Sequence, residues 1–244
     1  MPKRLIQQRR GKGGPRFRSP GHRFKGPTSL RNFDDIERNS VIRGTVKDIF
    51  NDPAKSAPML MVEFENKELL SYPAFEGARV GDFVESGLNA KNSQGNILPL
   101  SKIADGSNIY CLENRPGSGP KFVRTSGNSA KIIAHEEKGV IVQMPSKKNL
   151  VFSGSCRAAI GRIAGSGRKE KPFVKSANKK IARNARGKKH EIVKGTGMNA
   201  VNHPHGGGGT RNRKNYSVSR NAPPGAKVGS IAPRRTGRKR GTNK

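Results

Sequence analysis

Tryptophan is absent from this chain, aromatic residues make up 5% of it, and its 244 residues include two cysteines. So few aromatics imply a modest core. Cys111 and Cys156 form no C-x-x-C pair, which argues against a disulfide scaffold or a cysteine-built zinc site and fits a reducing cytoplasm. Both are expected to be small buried hydrophobes. Long apolar runs are missing too: stretches such as 59–62 and 139–142 are strand-sized and far short of a membrane span. The N-terminal stretch has no apolar segment of the secretory kind, and Gly11, Gly13, Gly14 and Pro15 spoil the amphipathic helix of a transit peptide. There is no phosphate-cradling loop of the nucleotide-hydrolase type, so an enzyme reading has no motif to stand on.

Acidic residues are equally scarce, 17 against 49 Lys and Arg, for a formal net charge of +32. A compact body carrying that charge alone would repel itself, so a polyanion is the expected partner. The charge is unevenly placed. Residues 1–35 carry ten basic and two acidic side chains, 36–105 eight and ten, 106–165 nine and three, and 166–244 22 and two. A nearly balanced body thus lies between two cationic arms.

The body reads as β. Ser40–Ile49, Met59–Glu65, Lys67–Tyr72 and Asn96–Ile103 are short, β-branched or alternating runs, Gly77–Glu85 sets a Gly-Asp turn between apolar pairs, and Asn51–Pro58 is a turn cluster. Asn108–Glu113, Lys121–Arg124, Ala130–His135, Gly139–Met144, Asn149–Phe152 and Ala158–Ala164 continue the pattern. This density of short strands predicts a mainly β fold of two small tandem barrels, 36–105 and 106–165, dividing near Asp105. An N-terminal arm, 1–35, and a Gly/Pro-rich C-terminal extension, 166–244, flank them.

The arms hold the candidate binding residues. Arg16, Arg18, Arg23 and Lys25 interleave with Phe17, His22 and Phe24, a pattern suited to phosphate forks and base stacking, although either Phe can equally serve a core. Ser176–Arg186 predicts one short basic helix, and Lys171, Lys175, Lys179, Arg183 and Arg186 fall along one side of the extended-to-helical segment that holds it, with Asn178 among them. Beyond Glu191 no acidic residue occurs, and the extension is expected to order against RNA phosphates. Arg211, Arg213, Arg234, Arg235 and Arg238 are further phosphate anchors. His203 and His205 flank Pro204 before Gly206, Gly207 and Gly208. An imidazole there suits a general base, or packing against RNA beside glycines that permit close approach. Packing is preferred, because a base needs an orienting partner. A metal reading lacks a third ligand.

The stretch Gly195–Gly209, which includes Asn199, resembles the signature of the ribosomal protein L2 family, the universal second protein of the large ribosomal subunit. Arg157–Gly167, Lys171–Asn178, Asn51–Pro58 and Lys121–Asn128 are similar to that family, and Ser219–Arg238 and Pro15–Gly26 resemble its archaeal and eukaryotic branch, within which the chain reads as archaeal in type. The resemblance implies an OB-like barrel, an SH3-like barrel and an extension reaching toward the peptidyl transferase centre. It also implies primary binding of large-subunit (23S-type) rRNA, neighbouring large-subunit proteins as partners, contact to the small subunit, and roles in tRNA binding and peptide-bond formation. No cofactor is implied beyond Mg ions within the bound rRNA, and no membrane or small-molecule substrate. Asn202 stands where family members commonly carry an acidic residue, and His205 where many archaeal and eukaryotic members carry Phe. A free RNA-binding translation or transcription factor built on the same barrels is the competing reading.

Overall fold

The computed structural model of the chain describes residues 4–15, 17–208 and 216–235. The chain divides into two compact units, residues 21–173 and residues 1–20 with 174–244. Among the described residues three short helices occur: α1 (Ile6–Gly11), α2 (Asp35–Asn39) and α3 (Ser176–Asn184).

The 21–173 unit is mainly β. Its strands are β1 (Val41–Phe50), β2 (Met59–Phe64), β3 (Leu69–Pro73), β4 (Phe83–Gly87), β5 (Ile97–Pro99), β6 (Asn108–Tyr110), β7 (Leu112–Glu113), β8 (Pro120–Phe122), β9 (Ala130–Glu136), β10 (Gly139–Gln143), β11 (Asn149–Phe152) and β12 (Arg157–Ile160). Ten of them form one hydrogen-bonded sheet in the order β11-β10-β9-β6-β12-β5-β4-β1-β2-β3, while β7 and β8 pair separately. The expected strands are therefore present, but the sheet runs unbroken past Asp105, because β12 pairs with both β5 and β6.

Alternation explains the individual strands. In β1, Ile42, Gly44 and Val46 point inward while Val41 and Arg43 are exposed. Gly44 has to be glycine, because a β-carbon there would lie 2.7 Å from Val62 Cγ1 and 2.9 Å from Phe64 Cδ1. Two buried clusters back the sheet. Ile42, Val46, Leu60, Val62, Phe64 and Val84 belong to one, and Leu98, Leu100, Ile109, Ile132 and Val142 to the other. Cys111 and Cys156 are buried in them as expected, and burial pushes both thiols above their ordinary range.

Two expected runs are interrupted. Asn96–Ile103 stops as a strand at Pro99 and continues as a 3-10 turn, Leu100–Lys102. Asn108–Glu113 breaks at Cys111, which adopts a φ of 51°.

Residues 21–35 belong to the strand-rich unit, and Leu30 and Arg31 are buried there. Arg31 donates to Glu37 Oε2 at 3.2 Å and to Glu68 Oε2 at 3.1 Å. Asp34 caps α2 by accepting the Glu37 N–H at 2.9 Å. Burial pulls the Asp34 pKa up, but the Glu37 amide and the Arg31 guanidinium outweigh it and hold the carboxyl below its ordinary value.

Candidate nucleic-acid interface

In the strand-rich unit two loops build a basic cleft. The first is the 51–58 turn. Asp52 organises it, accepting the Ala54 N–H at 2.8 Å and the Lys55 ammonium at 2.6 Å. Burial raises the Asp52 pKa, yet these donors more than reverse it and hold the carboxyl below its ordinary value. The second loop follows β8. There Val123 adopts a φ of 49°, which is costly for a β-branched residue, and its carbonyl accepts the Cys111 N–H at 2.9 Å. The loops meet where the Ser126 N–H donates to Ser56 Oγ at 3.3 Å. Arg168 Nε donates to Ser126 Oγ at 2.7 Å.

Between them lies a cleft of about 460 Å³ lined by Thr28, Lys55, Ser56, Lys121, Arg124 and Thr125 among others. No carboxylate lines it among the described residues. Lys121 and Arg124, both exposed beside hydroxyls, suit an RNA phosphate, while the Lys55 ammonium is held by Asp52. Sequence reasoning singled out both loops for their family likeness but chose none of these side chains. The available signal was two turn-rich loops that each carry cations among Ser and Thr.

Nearby, His22, Arg23 and Lys25 are exposed, and Lys25 Nζ sits 5.5 Å from the centre of the Phe50 ring. Phe24 is half-buried. Lys171 is exposed.

In the other unit, α3 forms close to its expected span and buries none of its residues. Lys175 is its N-cap. Lys179 and Arg183, four residues apart, share a face of the helix. Lys175, Asn178, Lys179, Arg183 and Arg186 are all exposed, as are Arg18, Asn199, Arg234 and Arg235. Phe17 is half-buried under the Arg10 guanidinium, 5.9 Å from the ring centre. Arg16, Arg211, Arg213 and Arg238 lie outside the described residues.

The histidine–glycine stretch is a packed knot. His203 Nδ1 accepts the His205 N–H at 3.0 Å, leaving Nε2 as the ring atom able to carry a proton in that state. The His203 ring lies against Gly195, where a β-carbon would fall 2.3 Å from it. His205 packs edge-on against Tyr216, with ring centres 4.6 Å apart. The Tyr216 carbonyl accepts the Ser230 N–H at 2.8 Å, beside the short parallel pair β13 (Ser217–Val218) and β14 (Ser230–Ile231).

Gly206 is buried, and a β-carbon on it would fall 2.3 Å from the Asn199 carbonyl oxygen. Its N–H goes to the His203 carbonyl at 2.8 Å and that of Gly207 to the Met198 carbonyl at 3.0 Å. The glycines were expected to bring backbone amides to RNA. Gly206 and Gly207 instead spend their amides inside the knot, while Gly207 and Gly208 remain exposed at φ 68° and 84°. Asn202, with its N–H on the Asn199 carbonyl, offers His203 no carboxylate to orient or charge the ring.

A basic cleft, a fully exposed basic helix and a glycine-packed histidine knot form a set that comparison with known proteins can place. Two family descriptions match in chain order. "Ribosomal Proteins L2, RNA binding N-terminal domain" covers residues 2–86, and "Ribosomal Proteins L2, C-terminal domain" covers residues 93–226. The chain belongs to the ribosomal L2 family. Within the L2 family it is similar to a protein of Methanothermobacter thermautotrophicus named large ribosomal subunit protein uL2. Those two are 48% identical over 98% of this chain and all of that protein. Proteins of the same name from Methanosphaera stadtmanae and Halorubrum lacusprofundi are each 46% identical, over 98% and 100% of this chain and all of their own lengths. The cleft loops fall one in each matched L2 domain, and the histidine knot lies in the second.

Proposed function

We propose that this chain is a structural constituent of the large ribosomal subunit, an rRNA-binding protein whose work is architectural rather than catalytic. What carries the reading is the match of both L2 domains, in order, along nearly the whole chain, to relatives named for that subunit. The geometry supports it. Exposed cations on α3 and at Lys121 and Arg124 in the cleft suit phosphates.

In this reading the C-terminal extension supports the peptidyl transferase centre, neighbouring large-subunit proteins and the small subunit make further contacts, and the ribosome is cytoplasmic. Magnesium enters with the rRNA, and no cofactor is needed. His203 shapes the knot and does not carry a proton in the reaction.

Equilibrium binding of the full chain to large-subunit rRNA across a salt series tests the reading. Binding that falls steeply with salt is expected, since each phosphate contact releases counterions. Binding insensitive to salt, or no preference for that RNA over an unrelated RNA of equal length, would contradict it.

A further inference from the structure

We infer that a groove in the unit of residues 1–20 and 174–244 is a binding site for an unpaired nucleobase of RNA. The inference rests on the RNA-binding reading above and adds a contact that phosphate neutralisation does not provide.

The groove has a volume of about 710 Å³, within the ligand-sized range of roughly 300–1,000 Å³. Its apolar lining is Leu5, Ile6, Ile192, Val193 and Met198. Leu5 is buried, but Ile192 and Val193 are 58% and 59% exposed. Their setting is what decides the occupant. Residues 1–20 and 174–244 hold 26 Lys and Arg against one acidic residue, Glu191, which also lines the groove.

Arg4, Arg9 and Lys194 line the same groove, and all three are exposed. Aliphatic faces beside guanidinium groups suit a flat ring that is apolar on its faces and attached to a phosphate. An unstacked base is that ligand, since it packs on apolar and guanidinium surfaces while a neighbouring cation takes its phosphate. Asn199 and Asn202 add amides that both donate and accept, as a base edge requires. The His203 ring lines the groove as well, and its Nδ1 is occupied by the His205 amide. An uncharged peptide would leave the cations without partners, and a purely electrostatic RNA contact would leave Ile192 and Val193 uncovered.

The test uses the full chain and two six-nucleotide RNAs of identical backbone, an adenosine hexamer and the same hexamer made abasic, followed by fluorescence anisotropy. Removing the bases is expected to weaken binding by about tenfold or more. Ile192→Ser with Val193→Ser, both at exposed positions, is expected to weaken binding of the adenosine hexamer and leave the abasic one unchanged. Equal binding of the two RNAs by the unmodified chain, or an equal loss on both in the variant, overturns the base site and leaves RNA binding standing. A peptide-binding groove gives that same equality. Failure to bind the adenosine hexamer likewise overturns the base site, while the RNA-binding reading stands or falls on the rRNA salt series.

Discussion

The Arg157 guanidinium donates to Glu37 Oε1 at 3.1 Å across 120 residues of sequence, with both side chains almost fully buried. Arg157 also donates to Glu113 Oε1 at 2.9 Å, and Glu113 accepts the Gly117 and Gly119 amides at 3.1 and 3.0 Å. Arg31 reaches the other Glu37 oxygen. The network ties α2 and the segment before it to β7 and β12, on both sides of the expected division at Asp105. Arg157→Ala leaves the buried Glu113 carboxylate without its cation and takes one of two guanidinium partners from Glu37, and urea unfolding is expected to show a loss of about 3–5 kcal/mol. Lys47→Ala, which removes an exposed pair with Glu63, is expected to cost less than about 1 kcal/mol. Equal costs would show that the buried network contributes nothing special.

His135 gives a pH signature. The Leu100 carbonyl accepts from its Nε2 at 2.9 Å and Asp105 faces its Nδ1 at 2.7 Å, and despite some desolvation these raise its pKa above the ordinary value. The contribution to stability is therefore complete below an unfolded pKa of about 6.5 and lost as pH rises through the higher folded value. His135→Gln is expected to flatten stability against pH across that window, as read by unfolding midpoints from pH 5 to 9. An unchanged profile would remove His135 from the account.

The cleft predicts a separable share of RNA affinity. Lys121→Glu and Arg124→Glu are expected to weaken rRNA binding uniformly across sequences and lower the logarithmic salt slope by about one for each phosphate no longer neutralised. Weakened binding with the slope intact would show that these two side chains do not neutralise phosphates.

At the knot, His203→Gln retains a side chain that accepts hydrogen bonds, and His203→Ala does not. On fully assembled ribosomes, single-turnover peptide-bond formation is expected to survive the glutamine change across pH, while alanine impairs assembly or the shape of the centre. A glutamine variant that assembles normally yet loses most of its rate, together with an ionisation near the histidine pKa, would make His203 part of the chemistry.

Much of the body was legible because strands write their burial into alternation. β1 and β10 show it plainly, with Ile42, Val46, Val140 and Val142 turned inward. The helices were less legible: α3 announced itself as a basic run, whereas α1 and α2 are too short to set up a period. Arg31 read as one more cation of the N-terminal arm and is instead buried, because a charge in sequence says nothing of a carboxylate that folding brings to it. The same blindness hid Arg157 and Glu37. Glycine was read correctly as permissive but given the wrong neighbour at Gly206, where its own chain and not RNA takes the space of the missing side chain. The cleft was missed because its lining comes from the 51–58 turn and from β8 with the loop after it, about 70 residues apart and joined by the Ser56–Ser126 bond.

The central claim is that this chain is a resident of the large subunit. Sucrose-gradient sedimentation of cell lysate, with the chain followed by quantitative immunoblot, tests it most directly. The account predicts that essentially all of the chain travels with large subunits and whole ribosomes and leaves them only under high salt. A substantial free pool at the top of the gradient at physiological salt would contradict it and favour an RNA-binding factor that visits the ribosome.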